Sequence, residues 1–169
     1  FVAVCDEAGR GCIAGPVVAA AVLLDLNDLD RLRELIGQVN DSKRMTAARR
    51  RRLYAPILQA ARVAIATRSA RSIDERGIQW ANMSALADSL RAVSGHLTGD
   101  VVRLVDGFRL AGCELPHERL VRGDANSAAV AAASIIAKET RDRLMARLHD
   151  RWPQYGFDRH AGYPTPAHR

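Results

Sequence analysis

With 169 residues, 48% of them hydrophobic and 26% charged, the chain has the length and composition of one folded globular unit, and disordered, fibrous and collagen-like classes are excluded. Its 25 Lys and Arg against 19 Asp and Glu give a net charge of +6 and a pI near 9.9, a balance that favours a polyanionic partner such as nucleic acid. Lys43 and Lys138 are the only lysines, so the basic excess is arginine spread through an alanine-rich chain rather than an interaction tail, which discounts the pI as a signal.

Cys5, Cys12 and Cys113 are odd in number and show no C-x-x-C spacing, so neither a disulfide framework nor a thiolate zinc site is indicated; a reducing, cytoplasmic setting fits. The longest near-apolar stretch, 128–137, is broken by Ser134 and is far short of the roughly 18 residues a membrane span needs, so no membrane role is expected. No signal peptide is visible, and the start without Met and the Pro-rich finish predict trimmed or disordered ends.

In chain order, Phe1 to Cys5 is an apolar run ending in Asp6-Glu7, followed by Gly9, Gly11 and Gly15 and a second apolar run from Val17 to Leu24: strand, glycine-rich turn, strand. A short helix is expected over 29–36 and a loop over 40–43. Thr46 is placed to cap a helix running to about Ala60, which carries Arg49 to Arg52 and is weakened by Pro56. Residues 62–68 alternate as a half-exposed third strand. A helical pattern runs from Ile73 to about Val93 with a break at Gly77. Val101 to Val105 is a strand ending in Asp106, and a fifth short strand is expected within 115–121. Ser127 is a plausible N-cap for a helix reaching Arg151, on which Ala133, Ile136, Ala137, Thr140, Leu144 and Leu148 form a packing stripe while Ser134, Lys138 and Arg141 line a neighbouring stripe that can touch phosphate. The tail, 152–169, reads as irregular.

Asp6-Glu7 and Asp106 lie at the carboxyl ends of strands, where open α/β sheets form ligand crevices, and Asp124 beside a helix start can join them. Carboxylates gathered closely raise one another's pKa and destabilise the fold unless cations neutralise them. Hard oxygen ligands suit Mg²⁺ or Mn²⁺, and two such ions can activate a water and stabilise the leaving oxygen of a phosphoryl displacement. Single strand-end acids also occur in ordinary turns, so the inference rests on their combination.

The run from Asp6 to Val22, DEAGRGCIAGPVVAAAV, resembles the N-terminal signature of ribonuclease HII, the type 2 ribonuclease H family. Asp41-Ser42-Lys43, Val105-Asp106-Gly107, Gly123-Asp124, the 132–138 run AASIIAK and Gly162-Tyr163-Pro164-Thr165 follow in the family's order, over nearly the whole chain. The resemblance implies a ribonuclease H-like α/β fold: a central mixed five-stranded sheet flanked by helices, in a single catalytic domain over 1–169 that lacks the family's further C-terminal helical sequence. It implies hydrolysis of the RNA strand of RNA–DNA hybrids, and cleavage 5′ of single ribonucleotides embedded in duplex DNA, using Mg²⁺ or Mn²⁺; a monomer is expected. Asp6, Glu7, Asp106 and Asp124 are then the metal-binding and catalytic carboxylates. Because neighbours on an ideal strand point to opposite faces, the chain is expected to bend at Asp6-Glu7, with Gly9 and Gly11 supplying the bend.

The same resemblance assigns recognition of the 2′-hydroxyl to Gly9-Arg10-Gly11, and packing on the sugar at the RNA-to-DNA junction to Tyr163. Lys43, Ser134 and Lys138 are candidates for phosphate contacts. Arg49 to Arg52 wrap around a helix and read better as a solvated, partly salt-bridged face. His160 and His168 receive no role. Glu139 stands where the family pattern has an apolar residue, which predicts an exposed position, and Asp142 is expected to pair along its own helix. Two rivals remain: a non-catalytic nucleic-acid-binding module with one structural metal, and a phosphatase with an aspartate nucleophile.

Overall fold

Val17–Leu24 carries no polar side chain, so as a strand it must be covered on both faces. A computed structural model of the chain describes residues 1–28, 30, 33–34, 37, 39, 46–120 and 128–168. It pairs this strand (β2) between β1, Val2–Ala8, and β3, Arg62–Arg68, both antiparallel to it. On the far side of β1 lie β4, Val102–Asp106, and β5, Glu118–Leu120, joined in parallel, to give a mixed five-stranded sheet in the order β3-β2-β1-β4-β5. The expected sheet is present, with β1 at its centre.

Helices cover both faces. Ala19, Ala21 and Leu23 on β2, with Ala3 and Cys5 on β1, pack against Ala85, Leu86, Leu90 and Val93; the alternate residues Ala20, Val22 and Leu24 pack against Leu53, Ile57, Ala133 and Ile136. Small alanines on the strands let helices sit close to the sheet. Each large aliphatic side chain buried there contributes about 1.5–3 kcal/mol.

Helix α1, Ala47–Ala60, is capped by Thr46, whose Oγ1 accepts from the Arg49 amide at 3.3 Å. Pro56 is accommodated because the carbonyl that loses its donor belongs to the exposed Arg52. Arg50 pairs with Asp142 at 2.7 Å, whereas Arg51 and Arg52 are exposed, so the four arginines do wrap around the helix. Helical backbone starts at Ala70, earlier than the pattern from Ile73 suggested, because Ser69 caps it by accepting from Ser72; Gly77 separates α2, Ala70–Arg76, from α3, Ile78–Ser94, as expected.

The long helix α4, Ala128–Arg151, overturns three expectations. Glu139 is 2% exposed, its charge held by Arg143 at 2.9 Å. Asp142 bridges to α1 through Arg50 instead of pairing along its own helix. Arg141 is 1% exposed and bound to main-chain carbonyls, so it is unavailable to phosphate. The tail holds a 3₁₀ turn, Pro153–Tyr155, and one short helix, α5, Phe157–His160, within otherwise irregular backbone. Ser127 and most of the expected 29–36 helix lie outside the described residues; residues 30, 33 and 34 within it are helical.

Candidate active site

Cys5 and Val105 are register partners on the parallel strands β1 and β4, so the next pair sets Asp6 beside Asp106, on strands spaced about 4.8 Å apart. Cys5 and Val105 face the α3 side, and their successors therefore face α4. There the Lys138 ammonium donates to the Ser134 hydroxyl at 2.7 Å, and Ser134 donates in turn to the Asp6 carboxylate. Asp6 is only 7% exposed. Burial pushes its carboxyl above the ordinary value and Asp106 adds to the effect, against the bonds from Ser134 and the Glu7 amide and the charge of Lys138.

The expected bend between Asp6 and Glu7 is absent: pairing with β2 continues through Asp6↔Ala20, Glu7↔Ala19 and Ala8↔Val18, so the pleat sends Glu7 to the opposite face from Asp6. The turn comes two residues later, at Gly9, whose φ is +102°. Burial, then the charge of Asp6, lifts the Glu7 carboxyl to about 7, with Asp106 adding to the rise and Arg10 opposing it. Among the described residues no three His, Cys, Asp or Glu side chains form a ready metal cage, as an unbroken pleat dictates. The donor set nevertheless fits a hard divalent cation: buried carboxylates that raise one another's pKa are what such an ion relieves.

Beyond β1 the glycine turn closes with the Cys12 amide donating to the Gly9 carbonyl at 3.2 Å. A side chain at Gly9 would run into Pro16 O and Arg141, whereas at Gly11 no atom lies within 4 Å of where a Cβ would stand. Gly9 is therefore required by the fold, while Gly11, without positive φ, is not part of the bend and leaves open space. Between them the Arg10 guanidinium lies 4.8 Å from the Phe108 ring centroid, linking the turn to the end of β4. On the turn's other flank the Tyr163 hydroxyl donates to the Cys12 sulfur, and the Tyr163 ring remains 43% exposed.

Asp6, Asp106, Ser134 and Lys138 thus form one group, with Glu7 and Arg10 at its margin and Tyr163 reached along the turn. Asp124 and Lys43 lie outside the described residues. No role was expected for Phe108, signalled by its place directly after Asp106-Gly107, or for Cys12, counted only among the three unpaired cysteines. It gave His160 and His168 no role; their rings stack with centroids 3.8 Å apart, and His168 Nδ1 bonds the Tyr163 carbonyl at 2.8 Å.

The family model for ribonuclease HII matches residues 4–169. The chain is 47% identical over 169 residues to a ribonuclease HII of Rhizobium etli, covering 99% of this chain and 70% of the relative. It is 48% identical over 167 residues to a ribonuclease HII of Geobacillus kaustophilus, covering 96% of this chain and 59% of the relative. Among solved structures, the PCNA:RNase HII complex from Archaeoglobus fulgidus is similar with a TM-score of 0.79 at 30% identity, covering 99% of this chain and 82% of the matched one.

Proposed function

The chain belongs to the ribonuclease HII family, and from that premise we propose that it is a divalent-metal-dependent endonuclease that hydrolyses the RNA strand of RNA–DNA hybrids and cuts 5′ of single ribonucleotides embedded in duplex DNA. The observation that carries this reading is the Cys5↔Val105 register of adjacent parallel strands, which sets Asp6 next to Asp106, with burial and the neighbouring acid raising the Asp6 carboxyl, a strain that a cation would relieve.

Asp6 and Asp106, with Asp124, would hold Mg²⁺ or Mn²⁺, and Glu7, which the pleat turns to the other face, would join them only by a change of backbone at the end of β1. When bound, such ions supply Lewis-acid activation of water and charge stabilisation of the departing 3′-oxygen, giving 3′-hydroxyl and 5′-phosphate ends. Ser134 orients the Asp6 carboxylate through its hydroxyl, and the Lys138 ammonium places positive charge where a phosphate backbone would approach. Lys43 is a further candidate for a phosphate contact. The open space over Gly11 leaves room for a ribose at the turn, where main-chain groups of Gly9-Arg10-Gly11 read the 2′-hydroxyl, and the exposed Tyr163 ring offers a surface for the neighbouring sugar. Three free cysteines suit work in a reducing cytoplasm, by a single catalytic domain acting as a monomer. Among the described residues no helix is long and apolar enough to cross a membrane.

Asp106→Asn tests the reading. Cleavage of a hybrid duplex falls by about 100-fold or more while duplex affinity stays within a few-fold, since a lost charged ligand removes transition-state stabilisation rather than ground-state contact. Retention of a tenth or more of wild-type activity contradicts it.

A further inference from the structure

Arg141 lies in mid-helix on α4, fully buried, and its described partners are three main-chain carbonyls rather than a carboxylate. Nε donates to Pro16 at 2.9 Å, Nη2 to Ala14 at 2.9 Å and Nη1 to Ala161 at 2.6 Å. Two of these acceptors end the glycine turn; the third lies two residues before Tyr163. One planar cation therefore spans the two segments to which recognition of the ribonucleotide is assigned, and its Cζ is 5.7 Å from the Tyr163 ring centroid.

The surroundings are shaped around this group. A Cβ at Gly9 would meet the Arg141 side chain, and one at Gly162 would meet Ala14 O and the same guanidinium. Ala161 sits at φ +46°, left-handed backbone that a non-glycine residue keeps only where its neighbours hold it, and the Arg141 bond is on its carbonyl. The Ile13 amide donates to the Gly162 carbonyl at 3.0 Å, which joins the same two segments directly. A lysine carries the same charge on a single nitrogen and lacks the rigid fork that fixes three acceptors in one plane.

We propose that Arg141 is a positioning residue: by clasping the backbone of the glycine turn to that of the Tyr163 loop, it sets the spacing with which the two grip a ribonucleotide. The inference rests on the proposed function for its substrate, and its geometry is testable without that substrate. The experiment is Arg141→Lys, read in three ways. KM for a duplex with one embedded ribonucleotide rises at least tenfold while kcat stays within threefold; affinity for an all-DNA duplex is unchanged; and exchange of the Ile13 amide quickens at least tenfold. A general loss of folding would instead lower kcat and plain-duplex affinity together, which would overturn the proposal, as would wild-type KM or unchanged Ile13 protection. Should Arg141→Lys not fold, Ile13→Pro, at a residue 59% exposed, deletes the direct bond between the same segments. It should raise KM similarly, and wild-type KM would overturn the clasp. If the wild-type protein does not cut the duplex with one embedded ribonucleotide, the proposed function fails, and Ile13 exchange in Arg141→Lys still decides whether the clasp exists.

Discussion

Glu7 shows at single-residue scale what the site costs the fold. Its carboxyl is lifted to about 7 from an ordinary 4.5, chiefly by burial and then by Asp6. A folded-state value above the unfolded one means that protonation stabilises the fold: the contribution is fully present below about 4.5 and is lost as pH rises through about 7. In metal-free protein, Glu7→Gln therefore gains on wild type across that window, by about 1–2 kcal/mol at pH 8 after discounting for partial exposure, and not at pH 4. Urea denaturation in chelator at the two pH values measures this, and an equal difference at both would contradict it. Tyr163→Ala should lower cleavage at a lone embedded ribonucleotide about tenfold or more, with Mn²⁺-induced thermal stabilisation unchanged, because the ring touches the turn and not the acids; full activity on that substrate would remove Tyr163 from the site. Asp6, Glu7 and Asp106 were legible as acids at the ends of apolar strands, whereas the roles expected of the glycine turn and Tyr163 came from the family resemblance. Arg141 was not, because helical periodicity assigns it a stripe but cannot show that backbone carbonyls from residues 14, 16 and 161 converge on that stripe.

At the scale of elements, β1 and α4 divide the labour. β1 places Asp6 and Glu7 by an unbroken pleat, and the expected bend failed because antiparallel pairing to β2 holds the strand straight through Ala8. α4 supplies Ser134 and Lys138 to the acids on one side and packs on the sheet with the rest. Its apolar stripe was readable from 3.6-residue spacing, yet the burial of Glu139 was not. That position is sealed by α1, where Tyr54 stacks 4.0 Å from the Arg143 guanidinium that pairs with Glu139, a tertiary contact absent from any local pattern. One Glu139 oxygen, Oε2, has no hydrogen-bond partner among the described residues. Replacing a buried, half-satisfied ion by an apolar side chain is neutral to favourable when the partner can reach water, and Arg143 is half exposed. Glu139→Val should raise stability by about 1 kcal/mol in thermal melts without changing cleavage; a loss of more than about 2 kcal/mol would show the pair to be a net stabiliser.

Across the whole molecule, the order of elements followed from alternating apolar runs and turn residues, and the mixed five-stranded sheet followed from the resemblance to ribonuclease HII. What could not be read is register. Only the parallel pairing of β1 with β4 brings residues 6 and 106 side by side, a closure across 100 positions that no local signal encodes. The central claim is that these two distant carboxylates, brought together by the sheet, bind the dication that drives hydrolysis. Incubating the protein with an end-labelled DNA duplex carrying one ribonucleotide, with Mg²⁺ or Mn²⁺ and with chelator, tests it most directly. The account predicts a single cut on the 5′ side of the ribonucleotide that appears only with metal. No product with either ion, or the same cut in chelator, would contradict it.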